Sequence, residues 1–333
     1  MERRSFLKAG AAGLAGLAGG ASGLLYWQPR AHAATTARTF YLTDGTIPMP
    51  GGPDVYFRGY SSSSSALDVP GETLIVQEGD TVEVTVVNTL GTTHSFVVDG
   101  MVDSGPIAGG ETKTISFTAS SPGTHLYYDG LNDPYGRLVG LHGGLAVMPS
   151  GSSNELYDGS PTFVQQYCWV FNDIDPAWND AISNGNTPSG EFVPRYFTIN
   201  GLFARPPGAP ESENEDVDAM VNPTVALHGS VGDRTLVRIL NVGLCMHSLH
   251  MHGNHMEWLT DNGTVKSPVW HKDVIFLRNG RGTADVIYPF ELPPDAYPQV
   301  STSVFPMHLH DEMTQTAGGG YYMFGALTDI FFE

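Results

Sequence analysis

Cysteine is scarce in this chain, with two among 333 residues. Two thiols are too few for a disulfide-rich scaffold, and they prove neither a disulfide nor a metal site. Cys168 and Cys245 could pair in an oxidising compartment, and the sequence leaves that pairing open.

Basic residues are also scarce: 16 lysines and arginines stand against 35 aspartates and glutamates, a formal net charge of −19. Such a surface repels polyanions, which disfavours a nucleic acid or an anionic membrane as a partner. The acid excess fits a high-salt habitat and an acidic secreted enzyme equally well, because net charge bears on solubility and not on fold. Beyond the N-terminus no segment is apolar enough to span a bilayer, so we predict a mature chain without a transmembrane segment.

The N-terminus has the pattern of an export signal. A twin-arginine motif at Arg3–Lys8 precedes a small, apolar run over Ala9–Leu25, and Ala31–Ala33 suits cleavage after Ala33. The alternative is a membrane anchor, but the run is glycine-rich and short for a span. We therefore predict that residues 1–33 are a Tat signal peptide and that the protein is periplasmic, cell-surface or extracellular.

Glycine and proline are abundant, with 40 and 23 residues, and aromatics reach 11%, which favours many short strands joined by turns. We expect an all-β protein with one Greek-key sandwich or barrel over residues 36–150 and a second over residues 160–333. The polar segment Ser150–Asp158 is the predicted joint. Surface loops are expected over Asn179–Gly190 and Arg205–Ala219. The strands predicted for the first half are Thr73–Val76, Thr81–Val87, Lys113–Phe117, His125–Tyr128 and Gly144–Met148.

The two halves repeat one another. The first half has a Gly-Asp turn at Gly79, a strand that ends in Asn88, and a His-Ser strand from His94 to Gly100. The second half has the same order, ending in a His-Ser strand from His247 to Gly253. Two copies of one β-domain explain this order best.

Two pairs of histidines give the strongest chemical signal. His250 and His252 are two residues apart, and so are His308 and His310. Strand side chains alternate faces, so two such pairs on neighbouring strands would bring four imidazoles together. Four imidazoles without a carboxylate fit copper or zinc better than magnesium or calcium. Polar residues scattered on an exposed face are the alternative, but two same-face pairs among 12 histidines favour a metal.

The other histidines carry weaker signals. His247 and His255 flank the first pair and are candidates for additional ligands or for residues that orient the ligands. His94 and His125 could approach each other across adjacent strands, although each alone is typical of a hydrogen-bonded strand or turn histidine. Ordinary surface or loop positions are expected for His228 and His271.

Segment 247–253, His-Ser-Leu-His-Met-His-Gly, resembles the His-Pro-x-His-Leu-His-Gly motif of multicopper oxidases, and segment 305–310 resembles the family's terminal His-Cys-His motif. The resemblance implies two cupredoxin-like domains over roughly residues 36–333 and a copper cofactor. It also implies ligand roles for five histidines. They are His250, His252, His308 and His310 at a trinuclear cluster and His247 at a type 1 copper.

The chain departs from that family pattern at several ligand positions. Leu309 occupies the position where the family has the type 1 cysteine, and Thr314 occupies the position where another type 1 histidine is expected. Without the thiolate a blue-copper centre cannot form at that position. The repeat also places Val97 and Asp99 opposite the first histidine pair, so half of the cluster ligands are missing. These losses imply a reduced copper complement.

Three neighbouring residues could modify the site. Cys245 shares a strand face with His247 if the pairing is regular, so its thiolate could be a displaced metal ligand. The alternative interpretation is a buried structural cysteine. Asp311 and Glu312 follow the last histidine pair and could donate protons or orient a ligand. On so acidic a chain, a solvated role for these two carboxylates is the alternative.

Together these observations predict an exported, copper-binding oxidoreductase that resembles a multicopper oxidase and cycles copper at the four-histidine site. A small molecule or a metal ion would be the reductant. A homotrimer is expected by analogy alone, because clusters of two-domain members form between subunits. The alternative is a copper carrier or cupredoxin scaffold that has kept the fold without catalysis.

Overall fold

The computed structural model describes residues 23–28, 30, 32–49, 52–152, 154–204, 218–293, 302–315 and 324–333. The predicted twin-arginine motif and most of the loop predicted over Arg205–Ala219 lie outside these residues. In the described part of the chain, no helix is both long and apolar enough to cross a membrane.

Among its described residues, the first half of the chain has ten strands and one short helix. In chain order the strands are β1 Leu24–Leu25, β2 Thr35–Ile47, β3 Val55–Ser61, β4 Gly71–Gln77, β5 Thr81–Asn88, β6 Val97–Val98, β7 Val102–Asp103, β8 Thr112–Thr118, β9 Gly123–Tyr128 and β10 His142–Met148. Helix α1, Tyr135–Leu138, lies between β9 and β10. All five strands predicted for this half are therefore confirmed, β6 lies within the predicted His-Ser strand, and β1, β2, β3 and β7 are additional.

The second half contributes eleven strands and two helical segments to the described structure. The strands are β11 Gln165–Ile174, β12 Tyr196–Ile199, β13 Leu227–Gly229, β14 Thr235–Asn241, β15 His247–Met251, β16 Met256–Asp261, β17 Thr264–Lys272, β18 Val274–Leu277, β19 Gly282–Tyr288, β20 Ser303–Leu309 and β21 Leu327–Phe332. Helix α2 spans Pro176–Ser183, and a 3-10 helix spans Glu312–Gln315.

These strands form two β-sandwiches. The first contains sheets in the order β3-β2-β5-β8 and β4-β10-β9-β6-β7. The second contains the order β1-β11-β14-β19-β16-β17, with β12 also paired to β11, and the order β13-β21-β20-β15-β18. The all-β fold class with two Greek-key sandwiches is thus confirmed.

The sandwiches repeat one another strand for strand. The parallel pairs β2·β5 and β4·β10 of the first correspond to β11·β14 and β13·β21 of the second. The antiparallel pair β6·β9 corresponds to β15·β20. The second sandwich adds the hairpin β16–β17, which has no counterpart in the first. The repeat predicted from the Gly-Asp and His-Ser segments is therefore present in the topology.

Each sandwich has its own apolar core because its strands alternate. In β5, Val82, Val84 and Val86 are fully buried while Glu83 between them is exposed. Burial of a valine side chain contributes about 1.5–3 kcal/mol, so the alternation fixes which face of β5 is inside. A further cluster, which includes Leu126 and Cys168, joins the two sandwiches.

Part of the predicted signal peptide lies against the folded chain. Leu24 and Leu25 pair with Tyr167 and Gln166 of β11, and Arg30 forms an ion pair with the buried Asp80. Cleavage after Ala33 would remove these contacts. The cleavage itself stays a prediction.

The loop predicted over Asn179–Gly190 is wrong in its first part, which belongs to helix α2. The Asp175 side chain caps this helix by accepting hydrogen bonds from the N–H groups of Ala177 and Trp178, and Pro176 occupies the first turn. Asn179 is buried and donates its side-chain amide to the Tyr56 carbonyl at 2.7 Å. Polar residues in this region therefore serve as a helix cap, at Asp175, and as a buried contact to the first sandwich, at Asn179.

A buried hydrogen-bond network joins the two sandwiches. Arg238 of β14 is fully buried and donates to Gln166 Oε1 at 2.9 Å and to Thr124 Oγ1 at 3.0 Å. The Thr124 hydroxyl donates in turn to the carboxylate of Asp285, the neighbour of Arg238 on β19. One hydroxyl of the first sandwich thus links a guanidinium and a carboxylate of the second.

We predict that Thr124→Val lowers the free energy of unfolding by about 2–3 kcal/mol, because a buried donor and a buried acceptor each lose their partner. Urea denaturation measures this loss. The control is Thr118→Val on an exposed position of β8, expected to change stability by less than about 0.5 kcal/mol. Equal losses in the two variants would contradict the structural role of the hydroxyl.

Candidate metal centre

The four paired histidines project from one face of two neighbouring strands. On β15, Leu249 and Met251 point into the core and are essentially unexposed, so His250 points to the opposite face. On β20, Met307 and Leu309 are equally buried. The strand period of two therefore directs His250, His252, His308 and His310 to the outer face together. The predicted same-face arrangement is present.

Strand pairing brings the imidazoles into contact. His250 and His308 are direct partners across the antiparallel pair β15·β20. The Nε2 atoms of His252 and His308 are 3.2 Å apart, and His310 Nε2 is 2.7 Å from His250 Nδ1. One nitrogen from each of His250, His308 and His310 lies within 4.8 Å of the other two. Three imidazoles can therefore face one ion, with His252 beside His308.

The environment favours the neutral, metal-binding form of two of these imidazoles, those of His250 and His308. Burial lowers the pKa of His250, and the neighbouring rings of His252 and His310 help to lower it to about 4. Burial also lowers the pKa of His308. At neutral pH these rings keep lone pairs that a metal can accept.

A cleft of about 520 Å³ opens beside the cluster. His250 and His252 form part of its wall, together with His255, Glu257, His271, Asp273 and Glu291. The Asp273 carboxylate is 3.9 Å from His250 Nε2. Among the described residues that line the cleft there is no lysine or arginine, so its walls favour neutral or positively charged molecules.

The cleft contains residues that the sequence reasoning missed. Glu257 was not considered, and His271 was interpreted as an ordinary surface residue. They are direct partners across the hairpin β16–β17, so their side chains lie on one face. The sequence contains one signal for these residues: the segment that includes the hairpin β16–β17 is longer than the corresponding segment of the first repeat.

His247 is in a different environment from the four paired histidines. It is buried, its Nδ1 is 2.9 Å from Asp311 Oδ2, and its Nε2 is 2.9 Å from Asp173 Oδ1. Burial alone would lower the pKa of His247, but the two carboxylates outweigh it and raise the pKa to about 9. With both nitrogens donating to carboxylates, neither is free for a type 1 copper.

Leucine and threonine occupy the two positions at which the resemblance expects further type 1 ligands. Leu309 is fully buried in the core opposite Leu249, and Thr314 is also buried. Cys168 and Cys245 are both free thiols and do not pair. Burial raises the pKa of Cys168 to about 11, and burial together with Asp173 raises that of Cys245 to about 12, so both stay protonated.

The two acidic residues after the last pair have separate roles. Asp311 orients His247, not the paired histidines for which a role was considered. Glu312 is exposed and begins the 3-10 helix that follows β20.

At the corresponding position of the first sandwich, a polar contact replaces the histidines. Val97 pairs with Tyr128 as His250 pairs with His308. The Tyr128 hydroxyl donates to Asp99 at 2.8 Å, and Arg281 of the second sandwich donates to the same carboxylate at 3.1 Å. The Arg281 guanidinium also lies 4.9 Å from the centre of the Tyr128 ring. An arginine of the chain itself thus covers this position.

The histidines of the first sandwich lie apart from one another. Because Val97 and Tyr128 pair antiparallel, His94 and His125 lie on opposite sides of that pair, and the expectation that they approach each other is wrong. His125 Nε2 is 2.8 Å from the Ser121 carbonyl. Both nitrogens of the buried His94 are engaged, by Thr92 and by Asp129, so neither is free for a metal.

Comparisons with known proteins agree with this fold. Residues 64–152 match the family model described as "Multicopper oxidase". The copper-containing nitrite reductase of Alcaligenes xylosoxydans xylosoxydans is 24% identical over 254 residues, which cover 68% of this chain and 70% of that protein.

Solved structures show the same architecture. The blue copper oxidase from Nitrosomonas europaea has a TM-score of 0.68 at 21% identity, covering 89% of this chain and 86% of its own. The copper nitrite reductase from Nitrosomonas europaea has a TM-score of 0.63 at 19% identity, covering 90% of this chain and 94% of its own. The chain therefore has a cupredoxin-type fold, and its residues 64–152 are similar to the multicopper oxidase family model.

We predict that His247 stabilises the folded state in a pH window set by its pKa. The folded pKa is raised from 6.5 to about 9, so this stabilisation is complete below pH 6.5 and is lost as the pH rises through about 9. His247→Gln should therefore be less stable than the native protein at about pH 6, and the gap should narrow towards about pH 9. Urea denaturation across this range measures it, with the more exposed His228→Gln as the control. A gap independent of pH would refute the charged pairing.

Proposed function

We propose that this protein is an exported copper-binding oxidoreductase of the multicopper oxidase type with a reduced copper complement. The copper site would consist of His250, His252, His308 and His310. The observation that supports it is the convergence of these imidazoles on one outer face, with nitrogens of three of them within 4.8 Å of one another. The names of the related proteins, copper nitrite reductase and blue copper oxidase, support copper as the metal.

The donor set fits copper. Imidazole nitrogens suit copper and zinc, and no carboxylate belongs to the converging group. The low pKa of His250 keeps its ring neutral at working pH. Bound there, copper would supply one-electron redox chemistry between its reduced and oxidised states.

The surrounding residues would select and position the reductant. Asp273, 3.9 Å from His250 Nε2, lines the cleft and can take up a proton released by a substrate there. The cleft walls carry Glu291 and Glu257, of which Glu257 is paired with Arg234 at 2.6 Å, and no basic side chain is among the described lining residues. A neutral phenol or a metal cation therefore fits better than an anion such as nitrite.

The proposed copper complement is smaller than that of a full oxidase. Leu309 occupies the position of the type 1 cysteine, and both nitrogens of His247 contact carboxylates, so neither residue can serve as a type 1 ligand. In the first sandwich, Val97, Asp99 and Tyr128 occupy the positions that correspond to ligand histidines. Oxygen reduction that needs several coppers and a separate electron-accepting centre is thus disfavoured.

A copper carrier or cupredoxin scaffold is the alternative function. It is favoured by the missing electron-entry centre, because a carrier needs neither that centre nor an open coordination position. Sustained oxidation of a phenol or metal ion by the copper-loaded protein would support the enzyme. Copper transfer to an acceptor without such turnover would support the carrier.

Export by the Tat pathway and assembly as a homotrimer belong to the same proposal. Export rests on the twin-arginine motif at Arg3–Lys8 and the small, apolar run that follows it. The trimer rests on analogy with two-domain relatives.

We predict that the double variant His250→Ala, His308→Ala loses tight copper binding, because it removes two of the three converging nitrogens. Copper content after loading and desalting, measured by elemental analysis, gives the result. The control is His228→Ala, a histidine remote in sequence that contacts Glu333 and should leave copper content unchanged. Equal copper in the double variant and the native protein would rule out this site.

We also predict that the copper-loaded protein has no intense visible charge-transfer band, because Leu309 occupies the cysteine position and burial raises the pKa of both thiols in the metal-free chain. Visible absorption after stoichiometric loading tests this, with Cys245→Ser as the matched variant. A strong band in the native protein that disappears in Cys245→Ser would show that this thiol binds copper after all.

A further inference from the structure

A second group of reactive side chains lies in the first sandwich, remote from the paired histidines. Thr92 Oγ1 is 2.7 Å from His94 Nε2, and His94 Nδ1 is 2.7 Å from Asp129 Oδ2. Thr92 is exposed, whereas His94 and Asp129 are 1% and 0% exposed. A hydroxyl, an imidazole and a carboxylate are thus connected in that order from the surface inwards.

The hydrogen bonds fix the direction of proton donation. The Asp129 carboxylate accepts from His94 Nδ1, which places the proton of a neutral ring on Nδ1. The Nε2 lone pair is then an acceptor, so the Thr92 hydroxyl must donate to it. This is the arrangement in which an imidazole acts as a general base towards a hydroxyl nucleophile.

The carboxylate is held rigidly. Besides His94, Asp129 accepts hydrogen bonds from the Ser95 N–H at 2.9 Å, the Ser95 hydroxyl at 3.1 Å and the Asn132 amide at 2.8 Å. Helix α1 packs directly on it, since a Cβ atom at Gly136 would stand 2.5 Å from Asp129 Oδ2. A carboxylate so fixed holds the imidazole in one orientation.

A small cavity lies over the hydroxyl. It has a volume of about 170 Å³, and its walls include Thr92, His94 and Arg58. Arg58 donates its Nε to the Tyr56 hydroxyl and brings positive charge to the cavity. In the described part of the chain the backbone N–H of Thr92 donates to no backbone carbonyl. This N–H and the Arg58 guanidinium are therefore the groups beside the hydroxyl that would stabilise a developing oxyanion.

We propose that Thr92, His94 and Asp129 form a hydrolytic site for small carboxylic esters. The Thr92 oxygen bonds to the ester carbonyl carbon while its proton passes to His94 Nε2. The bond to the leaving alkoxide then breaks, and the alkoxide takes that proton and departs as the alcohol. Water, deprotonated by His94 Nε2, next attacks the acyl group, which releases the acid and returns the proton to Thr92. Asp129 acts as the positioning residue throughout.

The corresponding histidine of the second sandwich has no such geometry. His247 is held by two carboxylates and has no hydroxyl on either nitrogen. A histidine kept only for packing would need no exposed hydroxyl partner. The exposed Thr92 is therefore what distinguishes the first-sandwich group from a buried structural pair.

The test uses the full chain, freed of metal by a chelator, and p-nitrophenyl acetate as the probe. Release of nitrophenolate should fall at least about tenfold in Thr92→Ala. Thr92→Ser should keep the activity because it retains the hydroxyl, and Thr93→Ala, at the adjacent exposed threonine, should be unchanged. A fluorophosphonate probe should label the native protein on Thr92, as read by peptide mass spectrometry.

The outcomes against the proposal are equally specific. Equal rates for Thr92→Ala and the native protein, or no rate above buffer in a native protein shown by circular dichroism to be folded, would overturn it. A rate that rises and falls with copper content would also overturn it, because the hydrolysis would then belong to the metal centre. Since Thr92 is exposed, its substitution should leave folding intact, so loss of activity reports on the hydroxyl.

Discussion

The alternation of side chains along β15 and β20 is the constraint on which both the second core and the metal centre depend. Leu249, Met251, Met307 and Leu309 are essentially unexposed, and their burial contributes about 1.5–3 kcal/mol each. A slip of one residue would bury the imidazoles and expose these four side chains. The apolar residues therefore hold the histidines together on the outer face, even though neighbouring imidazoles disfavour each other's protonated forms.

Each half of the repeat has one histidine that contacts carboxylates and lies outside the proposed metal centre. His94 and His247 occupy corresponding places, and each donates to at least one carboxylate. In the first sandwich the partner is Asp129, and in the second the partners are Asp173 and Asp311. Contacts with carboxylates thus occupy a position where the family resemblance places a copper ligand. The converging imidazoles lie instead on one outer face of the second sandwich.

Local periodicity made much of the molecule predictable, and long-range contacts made the rest unpredictable. Strands such as Thr81–Asn88 and the same-face histidine pairs follow from a period of two. Asp129 reaches His94 across 35 residues and Asp173 reaches His247 across 74, so neither contact has a local signature. The part of helix Pro176–Ser183 that starts at Asn179 was predicted as a loop, even though the Asp175 cap and the first-turn proline are visible in the sequence.

The acidic cleft has a consequence for how fast a reductant can arrive. With a net charge of −19 and no basic side chain among the described lining residues, the field around the cleft attracts cations over a range of about 8 Å at physiological ionic strength. Encounter with a positively charged reductant would therefore be accelerated by long-range attraction and slowed by added salt. For a neutral reductant the same field would be almost without effect, so the salt dependence of the encounter rate distinguishes the two kinds of molecule.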